Sequence, residues 1–188
     1  MEADWSVEIG SGLPCIDASW EGFVDLRTAP RTIHIAEEAQ HPVLHEALLT
    51  LNAKNSAVFT SKCDVWALVA KEIDPDEFGA SRENANVGFA SYIDILARDP
   101  AYFASFSFHE DRCRELVSHF RLLALPQCRV DLVLRAAVMN EQSGYGLTLY
   151  AASCGVDEAA AYAAWQAVLD SAVTATIAAA THPPHMGE

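Results

Sequence analysis

Four stretches of this chain alternate apolar and polar side chains, and in each the polar parity holds one aspartate: Asp25, Asp64, Asp94 and Asp131. Successive side chains of a strand point to opposite faces, so a period of two predicts strands with one face buried. The apolar parity contains Val24 and Leu26, Cys63 and Val65, Ile93 and Ile95, Val130 and Leu132, and it is expected to face helices. The aspartate parity adds Phe23 and Arg27, Lys62 and Trp66, Tyr92, Arg129 and Arg135. Such a chain calls for a sheet covered on one side and open on the other.

The intervening segments supply the cover. Pro42 is suited to a first helical turn, and Val43, Leu44, Ala47, Leu48 and Leu51 share a face of a helix over 42–52. A second helix is expected over 104–123, with Phe106, Cys113, Leu116, Val117 and Phe120 clustered. With strands at 23–27, 56–69, 88–97 and 128–139, the order reads β-α-β twice, the pattern of a ferredoxin-like antiparallel sheet with its helices on one face. Gly22-Phe23, Asp25, Arg27 and Pro30 also align weakly with Gly88-Phe89, Asp94, Arg98 and Pro100, as an internal duplication would.

Beyond these units, 141–144 reads as a turn and 145–153 as a strand pairing back on 128–139. Asp157 is placed to cap an Ala-rich helix over 158–180, on which Tyr162, Trp165, Leu169, Ala172 and Thr176 form one stripe. Residues 1–21 read as an irregular arm with a short strand near 5–9, 71–86 as a polar and mobile connection, and 181–188 as a tail. The expected fold is one α+β domain over 1–188: about five antiparallel strands, with helices mainly on one face.

At 188 residues with 51% hydrophobic content, such a chain hides roughly 70% of its extended surface and needs neither metal nor disulfide to fold. Twelve Lys and Arg against 26 Asp and Glu give a net charge of −14, which disfavours nucleic acid and anionic bilayers as partners. The first residues lack a basic region followed by an apolar run, and no stretch is long and apolar enough to span a bilayer, so a cytoplasmic protein is expected. Its five cysteines, Cys15, Cys63, Cys113, Cys128 and Cys154, are odd in number and form no C-x-x-C pair. They are expected reduced, with Cys63, Cys113 and Cys128 in the helix-facing core.

Candidate chemistry concentrates on the aspartate face, where Asp64, Trp66, Tyr92, Asp94, Arg129, Asp131 and Arg135 are the expected ligand-binding residues. A mixed charged face is often merely solvated; it becomes a site if the 10–17 arm or the 71–86 connection covers it as a cleft. Close carboxylates there would suit a hard cation, but strands give no diagnostic ligand spacing, so no metal and no cofactor is expected. His41 and His45 stand four apart in His-Pro-Val-Leu-His, without the glutamate of a zincin motif. His109 and Cys113 repeat that spacing inside an apolar stripe and read as core; His182 and His185 belong to the tail.

Cys154 precedes a helix whose dipole would favour a thiolate, but Asp157 competes for the same amides. Gly144-Tyr145-Gly146 lacks the lysine of a phosphate loop and reads as turn chemistry, and Gly10-Ser11-Gly12 carries no more. The expected function is a noncatalytic module binding a small molecule or a protein partner, with a homodimer as one form of such a partner. The alternative is a small enzyme in which Asp64 or Asp131 acts as general base or cation ligand while Arg129 or Arg135 holds an anionic substrate.

Overall fold

The computed structural model describes residues 1–28 and 41–181. Strands β1 (Glu2–Glu8), β2 (Ile16–Asp17), β3 (Val58–Val69), β4 (Val87–Ala97), β5 (Cys128–Met139) and β6 (Gln142–Gly155) share one sheet. Helices α1 (Pro42–Leu51), α2 (Pro100–Phe103), α3 (Phe106–Phe120) and α4 (Glu158–Thr181) complete the α+β architecture. No helix among the described residues is long and apolar enough to cross a membrane.

The strand order is β1-β5-β6-β4-β3, with β2 also pairing β5. The β3-β4, β4-β6 and β5-β6 pairs are antiparallel, whereas β1 and β2 run parallel to β5. The sheet is therefore mixed and six-stranded, not wholly antiparallel. Its parallel members come from the segment expected to be an irregular arm. An edge strand needs little apolar signal: β1 directs Ala3 and Trp5 into the core beside α3, while Asp4 stays exposed.

The strand expected over 23–27 is absent. Asp25 accepts the Arg27 N–H at 2.9 Å and pairs with its guanidinium at 2.8 Å, and the Thr28 hydroxyl donates to the Asp25 carbonyl at 3.0 Å. These local bonds satisfy the backbone as a turn and outcompete a ladder. Asp25 is thus off the sheet, the alignment with Gly88-Phe89 loses its structural basis, and the ferredoxin-like order is not formed. What remains is one split β-α-β unit, β4-α3-β5, with β6 inserted between its strands. The Pro30 loop lies outside the described residues.

On β4 and β5 the helix-facing parity is as expected, whereas Val24 of the absent 23–27 strand is exposed. Ile93, Val130, Leu132 and Leu134 are fully buried beneath α1, α3 and α4, with Leu44, Leu51, Phe120, Trp165 and Leu169 packed on them. Trp165 Nε1 donates to Ser91 Oγ at 3.0 Å, which satisfies its one polar atom inside this core. Asp157 caps α4 by accepting the Ala160 N–H at 2.9 Å. Asn140 and Glu141, both at positive φ, form the tight β5-β6 turn, so Gly144 and Gly146 lie within β6 and not in a turn. The 70–86 connection folds into three 3-10 turns anchored by buried Ile73, Phe78 and Ala85 against Cys154.

A candidate ligand-binding cleft on the open face

The open face is shaped first by an irregularity in β3. Between Thr60 and Cys63 the pairing with β4 slips by one residue, a β-bulge opposite Asp94. A bulge re-aims neighbouring side chains and increases the local twist. Ser61 falls on the open side beside Lys62 as a result, and Phe59, which unbroken alternation would place with Cys63 and Val65, lies on the opposite face. Phe59 packs instead with Ile16, Leu96, Phe103 and Ala137 in a small second core on the open face.

That second core holds down the N-terminal segment. The Ala18 N–H donates to the Val138 carbonyl at 3.1 Å, while Ser61 Oγ donates to the Asp17 carbonyl at 2.5 Å and Trp20 Nε1 to the Ser61 carbonyl at 3.3 Å. Residues 16–20 therefore bridge the two sides of the sheet, from β5 to β3. Gly146 makes the crossing close. A Cβ there would lie 2.8 Å from both Ile16 Cδ1 and Leu96 Cδ2.

Beside this bridge lies a cleft of about 200 Å³, lined by Pro14, Cys15 and Ile16 from the arm and by Lys62, Tyr92, Asp94, Arg135, Thr148 and Tyr150 from four strands. Asp94 is only 7% exposed. Its Oδ1 accepts the Thr148 hydroxyl at 2.6 Å. Burial raises the carboxyl above its ordinary pKa, against the downward pull of the Thr148 hydrogen bond, Arg135 and Lys62. The same loss of water, with Asp94 and Asp64 close by, raises the Tyr92 hydroxyl. Arg135 is held by Glu8 at 2.9 Å and by the Tyr150 hydroxyl at 3.3 Å.

A second, wider cleft of about 400 Å³ continues along the face, sharing Arg135 and Tyr150, under Glu72, Glu77 and Phe78 of the 70–86 connection. Arg129 and Asp131 line it but are committed to one another. Arg129 Nε and Nη2 donate to the two Asp131 oxygens at 2.5 and 3.0 Å, and Glu77 adds a 3.2 Å contact. These carboxylates keep the guanidinium protonated still more firmly than usual.

Of the residues expected on this face, Tyr92, Asp94 and Arg135 meet in the first cleft, and Arg129, Asp131 and Arg135 in the second. Asp64 and Trp66 share the face, with Trp66 6.4 Å from Tyr92 between ring centres, but they line neither cleft. Sequence reasoning missed Thr148 and Tyr150 as cleft residues; Lys62, which alternation with Asp64 already places on the aspartate face, was not counted among the ligand-binding residues. Thr148 and Tyr150 follow from the β6 parity once the β5-β6 turn is set at Asn140-Glu141, since Tyr150 then pairs with both Asp131 and Tyr92.

The competing candidates fall elsewhere. Among the described residues no cluster of three or more His, Cys, Asp or Glu could hold a metal. His41 precedes α1 and stacks on Tyr162 of α4, 6.2 Å between ring centres. His109 is buried in the core, where loss of water lowers its pKa to about 4, and the nearby Cys113 thiol is pushed up to about 12. A neutral imidazole beside a protonated thiol is no nucleophilic pair.

Cys154 is fully buried, which raises its thiol pKa and removes the helix-terminus nucleophile from consideration. Cys113 and Cys128 are buried as expected; Cys63 is only half-buried, because the β3 edge leaves one side open, and Cys15 is exposed at the first cleft. His182 and His185 lie outside the described residues. No family model matches the chain, and no curated protein and no solved structure matches it either.

Proposed function

We propose that this chain is a noncatalytic binding module that takes a small polar molecule in the cleft over Asp94. The observation that carries the reading is Asp94 itself. It is a carboxylate on a residue only 7% exposed, with Oδ1 bonded to Thr148 and Oδ2 reaching the open space of the cleft without a protein donor among the described residues. A merely solvated sheet face has no reason to bury a charge, because desolvation is costly unless a partner restores the lost hydrogen bonds. A ligand supplying a donor to the second oxygen would be such a partner.

The enzyme alternative rests on Asp64 or Asp131 as a base or cation ligand. Both Asp131 oxygens are engaged by Arg129, and Asp64 lines neither cleft, so neither carboxylate faces a bound substrate. Binding without chemistry is the better use of this face. The test is an ¹H–¹⁵N NMR screen of the chain against a library of small polar molecules. Hits should converge on the amides of Tyr92, Asp94, Thr148 and Tyr150, and Thr148→Val or Arg135→Met should weaken them by about tenfold. Hits that map to the helices, or no hits, would overturn the proposal.

A further inference from the structure

The two unmatched charges of the first cleft define what a ligand there must carry. Lys62 and Asp94 project from adjacent strands at the bulge, yet no ion pair joins them. Among the described residues Lys62 acts on the Asp94 carboxyl and the Cys15 thiol only through longer-range electrostatics, and its one close contact is a cation–π contact with Trp20, 5.8 Å from the ring centre. Arg135, the other cation, is already matched by Glu8. The cleft thus offers one carboxylate oxygen that lacks a donor and one ammonium that lacks an anion. They sit too far apart to satisfy each other but line the same space.

Resting on the binding reading above, we propose that the ligand is a small zwitterion of the amino-acid type, its ammonium on Asp94 and its carboxylate on Lys62. A ligand of zero net charge leaves the electrostatic sum of the cleft unchanged, whereas a lone anion would face Asp94 and a lone cation would face Lys62 and Arg135. The ligand's side chain would lie toward Tyr92, Tyr150 and Pro14, which line the remaining surface.

The groups facing Asp94 are Lys62 from β3, Tyr92 on its own strand, Arg135 from β5, Thr148 and Tyr150 from β6, and Cys15 from the arm, next to Asp17. Since the ligand's ammonium needs the ionised carboxylate, affinity should fall as acidification protonates Asp94. A simple anion would show the opposite trend.

The experiment is isothermal titration of the full chain with each of the common amino acids. The tightest binder is then compared with its amide, which lacks the carboxylate, and its 2-hydroxy acid, which lacks the ammonium. Both analogues should bind about tenfold or more weakly. Asp94→Asn should erase the preference over the hydroxy acid, and Lys62→Met the preference over the amide, with thermal melting confirming that both variants are folded. An analogue that binds as well as the parent, or affinity that rises on acidification, overturns the zwitterion. If no amino acid binds while other small molecules still shift the Tyr92 and Thr148 amides, the ligand class is wrong and the site stands. If nothing shifts them, both readings fail.

Discussion

The two faces of the central strands are built from alternate residues of the same segments, yet they obey different rules. On β5, Val130, Leu132 and Leu134 are fully buried under helices, while Arg129, Asp131 and Arg135 between them form ion pairs on the other side. The helix face is stabilised by apolar area removed from water, at about 25 cal/mol per Å². The open face is covered at one end by Ile16, Phe59, Leu96 and Phe103 and at the other by Ile73 and Phe78 of the 70–86 connection, and beside the first cover it keeps a buried acid. One face serves stability, and the other departs from what stability alone would select.

That contrast should appear first as a difference in mutational cost. Leu132→Ala removes a fully buried side chain from the helix face and should cost about 2–5 kcal/mol in denaturant unfolding. A cost below that of a surface substitution would mean that the helices do not pack on this face as described.

The buried titratable groups offer a second break, because they act in opposite directions. His109 has its folded pKa lowered from 6.5 to about 4, so the unfolded chain binds more protons in that window. Stability should therefore drop by roughly 3 kcal/mol as pH falls from 6.5 to 4, and His109→Gln should flatten this limb. Asp94 has its folded pKa raised, so its contribution runs the other way. It favours the folded state below the ordinary carboxylate pKa and loses that advantage as pH rises through the raised value. Asp94→Asn should keep the Thr148 hydrogen bond and make the protein no less stable at neutral pH, measured by thermal melting across pH.

Gly146→Ala sharpens the comparison within the open face. The added methyl meets Ile16 and Leu96 and should cost about 1–3 kcal/mol while loosening the bridging segment, seen as faster hydrogen exchange at Ala18. The smallest effects belong to solvated positions of the same face. Asp64→Ala should change stability by no more than about 0.5 kcal/mol, and Arg129→Ala, which strips the two-pronged pairing from Asp131, by about 1 kcal/mol. Asp64→Ala should also leave ligand-induced shifts in place, because Asp64 lines neither cleft.

Much of the helix face is legible in the sequence, and the open face only in outline. The strand at Cys128–Met139 is bounded to the residue by its alternation, α1 and α4 to within one residue by their apolar stripes and caps, and α3 within two to three residues at each end of the expected 104–123. What the pattern hides are features set by partners distant in sequence. β1 has the thin signal of an edge strand and pairs more than a hundred residues away. The 23–27 segment alternates like a strand but is captured by the Asp25 carboxylate. The bulge at Ser61-Lys62 shifts Phe59 and Ser61 to the open face, which strict alternation does not give, whereas Lys62 reaches that face by its alternation with Asp64. Asp94 was within reach as a member of the aspartate parity; its burial, unlike that of Asp64, depends on the segment crossing over it.

The most direct test of this account is the titration of the Asp94 carboxyl, followed through its ¹³Cγ resonance in the unliganded protein. The account predicts a midpoint above the ordinary aspartate value of about 3.9, moving higher still in Lys62→Met as a favourable charge is removed. A midpoint at or below that value, unmoved by Lys62→Met, would mean that Asp94 is solvated or already paired, and the cleft would lose the group on which its function is argued.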